Sequence, residues 1–211
     1  SLVYALLMHE GENPARRDAE ADRPFRRNLS LAGQIQPDWQ RDGVVTAATE
    51  DLLELLHHGT ADEACDLVVK LLNDQAGPQS IWDALHMAAG ELLMRQPGIV
   101  SLHAVTTTNA LRFCYQTSGN DETRRLLLLQ NAAFLPMFRA AMEGRGEVRA
   151  ATVADLQPVA LEQTGREALG DVFATLGADA DAAAGKLYGY LEQAGPGAHA
   201  AQEAIDAAFN G

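Results

Sequence analysis

Cysteine is nearly absent. Cys65 and Cys114 are the only two in 211 residues, too few for a disulfide framework and not spaced as a zinc site. Bases are scarce, with 16 against 29 acids and a net charge of -13. A nucleic-acid binder needs a basic footprint to displace counterions from phosphates, so that class is excluded. An anionic membrane surface is disfavoured for the same reason. No uninterrupted apolar run of about 18 residues occurs, so nothing reads as a transmembrane helix. No stretch alternates with a period of two between turn dipeptides, so no sheet is expected. His-Glu-x-x-His pairs, Gly-rich phosphate loops and Gly-x-Ser-x-Gly elbows are all missing. Only two of the bases are lysines, Lys70 and Lys186, and aromatic residues make up 6%.

What is present is apolar and helical. Hydrophobic residues make up 47% of the chain, which excludes a disordered protein. The length suits one domain with a sizeable core. Charge is uneven: residues 151–211 hold 9 of the acids and 2 of the bases, a net of -7, whereas residues 61–150 carry only -2. The chain enters an apolar run at residues 1–8 without a basic n-region or a cleavage site, so it does not read as a signal peptide. That run looks like the end of a helix begun earlier, and residues 204–211 still carry an amphipathic pattern. The chain is therefore expected to be a piece of a longer protein, with a matured or trimmed terminus as the alternative. Apolar surface left exposed by a missing part would support homo-oligomer contacts.

The period is helical nearly throughout. Leu52, Leu53, Leu55 and Leu56 form a face after Thr46, and Gly59 stops that helix. Thr60 with Glu63 makes a capping box for the next, which runs to the Gly77-Pro78 break. Ser80, with Asp83 at the third position, is expected to cap a helix that ends before Pro97 and Gly98. A further helix runs from Ile99 to about Tyr115. Asn120 or Asp121 opens the next, with Pro136 kinking it. Alanine-rich helices are expected near 151–163, 164–176, 179–194 and 198–209. Residues 11–43 read as a proline-interrupted connector with one short helix near 25–35, held down by Phe25 and Trp39. The predicted fold is a single all-α domain, an array of antiparallel helical hairpins, with a helical core over 46–143 and an acidic alanine-rich part over 151–211.

Candidate chemistry centres on two histidines. Helical spacing sets Trp82, Asp83 and Gly90 beside His86. Asp83 three residues back could orient the imidazole, as carboxylates do behind metal ligands. His103 shares its side with Thr106 and Thr107. The run Val105, Thr106, Thr107, Thr108 is costly in a helix, so tertiary packing or a polar pocket is expected to hold it. Pro97 and Gly98 fold the two helices into a hairpin, with the histidines offset by roughly 7 Å along the axis. They could face one pocket, or each could be a hydrogen-bonded core residue. Asn109, Gln116, Gln130 and Asn131 could line such a pocket, or be surface and interhelical groups. Cys114 is expected to be a small buried hydrophobe. His57 and His58 are expected to serve a helix C-terminus, and His9 and His199 to be solvated.

The segment Ser101-Leu102-His103-Ala104-Val105-Thr106-Thr107-Thr108-Asn109-Ala110-Leu111-Arg112 resembles a His-Ala-Val-Thr-x-x-x-Ala-Leu-Arg motif of the questin oxidase-like family. Residues 95–111, with Asn13 to Asp18 and Asp22-Arg23-Pro24, are also similar to bacterial proteins of unassigned function, often exported by the twin-arginine route. The resemblance centres on 79–142. It implies an all-helical, non-haem iron oxygenase acting on a small aromatic substrate, with iron held by histidines and a carboxylated lysine. On that resemblance His103 is the motif ligand and His86 a weaker, second one; Asp83, Thr106, Thr107 and Asn109 are candidates for the surrounding pocket from helical spacing and residue type, not from the motif. Neither Lys70 nor Lys186 lies in a matching motif, so further ligands would lie outside this chain or be absent. The alternative is a non-catalytic helical scaffold or interaction domain, with a groove lined by apolar residues rather than imidazoles.

Overall fold

The computed structural model describes residues 16, 18–195 and 198–210, the side chains of 21, 198–200 and 208–210 excepted. The run at 1–8, His9 and the His199 side chain lie outside the described residues. Among those described, nine α-helices and two short 3-10 turns account for the regular structure, with no strand. The all-α expectation holds. The chain divides into two compact units, one reaching to Ala151 and the other starting at Thr152.

The first unit holds six helices: α1 (Arg23–Ala32), α2 (Thr46–His58), α3 (Ala61–Asn73), α4 (Pro78–Arg95), α5 (Ile99–Thr117) and α6 (Asp121–Glu143). Their boundaries follow from local chemistry. Thr60 Oγ1 accepts from the Glu63 amide while Glu63 Oε2 accepts from the Thr60 amide, closing the expected capping box. Asn120 Oδ1 accepts from Thr123 N at 2.8 Å and so caps α6. At the end of α3, Gln75 sits at φ 79°. Ala76 N reaches Leu71 O and Gln75 N reaches Leu72 O, a Schellman ending in which glycine is the usual residue.

Ser80 departs from its expected role. α4 starts earlier, at Pro78 after an extended Gly77, since a proline suits the first helical turn. Ser80 is buried inside α4, and its hydroxyl accepts from Val45 N at 2.8 Å, at the start of α2. A Cβ on Gly77 would come within 2.6 Å of Arg41 O. Only glycine lets that loop and α4 meet.

Helix α6 is the hub, packed against α5, α3 and α1. Leu128, Leu129, Ala132, Ala133 and Leu135 are buried on it. Pro136 lies inside the helix, which continues through it. Trp39, in the segment after α1, is fully buried and donates from Nε1 to Asp121 Oδ1 at 2.9 Å. It pins the connector as expected, and Phe25 is half-buried.

The second unit contains α7 (Gly165–Leu176), α8 (Ala180–Ala194) and α9 (Ala198–Asn210). Ala168, Leu169 and Tyr190 form its small core. The helix expected near 151–163 does not form. Only a 3-10 turn, Val153–Asp155, appears there, boxed by Thr152 and Asp155. Pro158 lacks a donor and biases Gln157 toward extended backbone. Val159 N then donates to Gly185 O at 2.9 Å. A Cβ on Gly189 would lie 1.9 Å from Val159 O, so glycine on α8 makes room for this strap.

Candidate functional site

The α4–α5 hairpin carries the candidate residues, and its two helices differ sharply in burial. α4 buries nine residues, among them Trp82, Leu85 and Glu91. α5 buries four, Ser101, Ala104, Thr108 and Tyr115, a single narrow stripe. The turn between them is tied by Ser101 Oγ, which donates to Gln96 O at 2.6 Å.

His86 is half-buried on α4. Its Nδ1 donates to Trp82 O at 2.8 Å, one turn back on its own helix. A carbonyl only accepts, so Nδ1 is the donor in this bond, and in the neutral ring Nε2 is then the nitrogen with the lone pair. Asp83 does not orient this ring through a hydrogen bond in the structure. Its Oδ1 accepts from Gln79 Nε2 at 2.7 Å, and Gln79 Oε1 accepts from Arg112 at 2.6 Å. The Arg112 guanidinium lies 5.2 Å from the Trp82 ring centre and 5.3 Å from that of Tyr115. Tyr115 meets Trp82 edge-on at 5.3 Å and Trp39 at 6.2 Å. The three rings and their guanidinium cover close this end of the core.

His103, Thr106 and Asn109 are exposed on the opposite side of α5, and Thr107 is half-buried. Thr106 Oγ1 donates to Leu102 O at 3.0 Å, within its own helix. The buried threonine of the run is Thr108, whose hydroxyl donates to Asn131 Oδ1 at 3.1 Å. Asn28 Nδ2 likewise reaches Gln130 Oε1 at 3.5 Å. Gln130 and Asn131 are thus interhelical partners, while Gln116 is exposed. Among the described residues no three His, Cys, Asp or Glu side chains gather as metal donors. The donors present do not fit a complete iron shell.

Cys114 corrects its expectation: it is exposed, whereas Cys65 is buried. Burial pushes the Cys65 thiol up to about 12, so it stays protonated and inert. Nothing in the local pattern separated the two.

The exposed side of α5 is unusual. Ile99, Leu102, Thr106, Ala110, Phe113 and Thr117 recur at steps of three and four residues, and all are exposed. Ile99 is 56%, Leu102 46% and Phe113 65% exposed. Arg112 is the single charged residue of the helix, and it turns inward to the rings. A solvated helix face normally carries charge. This one has none over 19 residues.

Sequence reasoning missed one further group. Glu91 is buried, 1% exposed. His57 Nε2 donates to its Oε2 at 2.5 Å, and Arg95 reaches the same oxygen at 3.3 Å. Arg139 donates to the carbonyls of Leu56 and Gly59, closing the end of α2 above them. The signal was readable: Glu91 falls on the stripe of Ala84 and Ala88, four residues before Arg95. His57 does sit at a helix C-terminus, as expected, but its ring is engaged by that carboxylate.

Comparison with protein-family models, with curated proteins and with solved structures returns no match.

Proposed function

We propose that the first unit is a helical scaffold and interaction domain whose α5 face pairs with a second copy of the chain. One observation carries the reading: a charge-free helix face with Leu102 and Phe113 about half or more exposed. A partner carrying charge on its docking surface would lose hydration there with no opposite charge to meet. The α5 face offers what it needs itself. In an antiparallel pair that crosses at the axial level of residue 108, whose own side chain faces the core, Thr106 meets Ala110, Leu102 meets Cys114 and His103 meets Phe113. Small residues sit at the crossing point, where the helices approach, and larger ones sit outside it. No carboxylate lies on α5, so the chain's excess acid is not at the contact itself, and the repulsion between the two acidic copies is reduced by salt.

The face is about 28 Å long and narrower than a standard interface of ~800 Å² per partner. Association is therefore expected in the micromolar range, not the nanomolar. Sedimentation velocity across that range, with Phe113→Glu as the disrupting variant, tests it. A chain that stays monomeric at ~200 µM would overturn it.

A second reading, the iron-dependent oxygenase implied by the resemblance, is favoured by His86. The Nδ1 proton held by Trp82 O leaves Nε2 in the form that ligates metals. When bound, iron would supply the dioxygen chemistry, and donors beyond the described residues would be required. Its test is iron content of the purified protein, with His86→Ala and His103→Ala. Iron that is absent, or retained unchanged in both variants, would remove this reading.

A further inference from the structure

The last turn of α2 sets three donors side by side, on a different helix from His86 and His103. Glu54, His57 and His58 stand at i, i+3 and i+4, which places both imidazoles beside one carboxylate. His57 Nδ1 lies 3.5 Å from Glu54 Oε2, and His58 Nδ1 lies 3.9 Å from Glu54 Oε1. Both gaps exceed an ordinary N–H···O hydrogen bond. On the other side of its ring, His57 Nε2 donates to Oε2 of the buried Glu91. Arg95 meets the Glu91 charge, so His57 need not carry one. In the neutral ring Nδ1 then holds the lone pair, and it faces the Glu54 carboxylate. Two acceptors turned toward each other are held favourably by a cation between them.

We propose that Glu54, His57 and His58 bind a divalent ion of the zinc class. Two imidazoles and one carboxylate form a zinc set that leaves the fourth position to water, whereas calcium and magnesium take oxygen ligands. Ligands about 2.0–2.2 Å from a tetrahedral ion lie about 3.3–3.6 Å from each other. His57 and Glu54 already have that separation. Among the described residues no three donors yet enclose one point; Glu54 turns one oxygen toward each ring. The Glu54 side chain is 72% exposed and that of His58 65%, so core packing does not hinder the rotation of His58 that completes the set. Behind His57, Glu91 fixes which nitrogen is presented, as carboxylates do behind metal-bound imidazoles. The C-terminus of α2 is also the negative end of the helix dipole, which favours a cation. The proposal is independent of α5 pairing and of iron at His86.

Calorimetric titration of the chelator-treated full chain with Zn2+ at neutral pH tests this, with Mg2+ and Ca2+ in excess to occupy diffuse carboxylate sites. The expected result is one tight equivalent per chain, with a Kd of about 10 µM or below. His58→Ala and Glu54→Gln should each weaken it about tenfold or more. Both side chains are exposed, so these variants should keep the helicity of the parent, which circular dichroism checks. His57→Ala should weaken binding at least as much, and His86→Ala and His103→Ala should leave the zinc affinity unchanged. No zinc uptake by the parent chain would overturn the proposal, because a proton would then be the cation beside Glu54. Uptake that survives His58→Ala and Glu54→Gln, or that is lost in His86→Ala or His103→Ala, would place the ion elsewhere and also overturn it.

Discussion

α4 and α5 are of nearly equal length and are joined by three residues, yet they have opposite surroundings. α4 is enclosed, with Trp82, Leu85 and Ile81 fully buried. α5 touches the core along one stripe and leaves Ile99, Leu102 and Phe113 in the open. Both are rich in apolar residues, and each carries one candidate histidine. The contrast shows that apolar content alone does not say what covers a helix. Stability should therefore reside in α4, and association in α5.

The largest expected effect tests that division. Trp82→Ala should destabilise the first unit by about 3–5 kcal/mol, whereas Phe113→Ala should stay within about 0.5 kcal/mol. Urea unfolding in dilute solution, where the chain is monomeric, measures both. Comparable losses at the two positions would break the contrast.

Glu91→Ala should cost about 3 kcal/mol, because it leaves Arg95 in a largely enclosed site without its carboxylate. The same unfolding experiment reads it. A change below about 1 kcal/mol would show that water already screens the group.

At the far end of α5, where the chain turns into α6, pH sharpens the picture. Burial works against the Asp121 charge. Hydrogen bonds from Trp39 and Gln40, with the Arg125 guanidinium, outweigh it and hold the carboxyl below its ordinary value. A group depressed in the folded state adds stability that is complete above its unfolded pKa, about 4, and lost as pH falls through the lower folded value. Asp121→Asn should therefore lower stability at neutral pH and flatten its decline in acid. An unchanged acid limb would contradict this assignment.

The smallest effect is chemical. Iodoacetamide should label Cys114 on α5 readily and leave Cys65 unmodified in the native protein. Labelling of Cys114 should slow at high protein concentration, where Leu102 of a second copy covers it.

Much of the fold was legible because its boundaries are marked by side chains that act locally. Thr60 with Glu63, Asn120 and Gly59 each satisfy or end a helix within four residues, so the sequence alone locates them. The 151–163 segment was misread because its propensity favours a helix, while Pro158 and the long-range bond from Val159 to Gly185 decide otherwise. Ser80 was misassigned for a similar reason: its hydroxyl serves α2, which is distant in sequence. In the candidate site, periodicity placed Thr106 and His103 on one side of α5. It carried no information on whether that side met protein or solvent. The burial expected of Cys114 rests on the general habit of free cysteine, which carries no such information either. Only the positions of α4 and α6 settle which stripe of α5 is covered.

The most direct test is the mass of the chain in solution. Sedimentation velocity at ~200 µM should show a dimer that dissociates on dilution into the low micromolar range, and Phe113→Glu should remain monomeric throughout. A parent chain that sediments as a monomer at every concentration, or a Phe113→Glu variant that dimerises as well as the parent, would contradict the account.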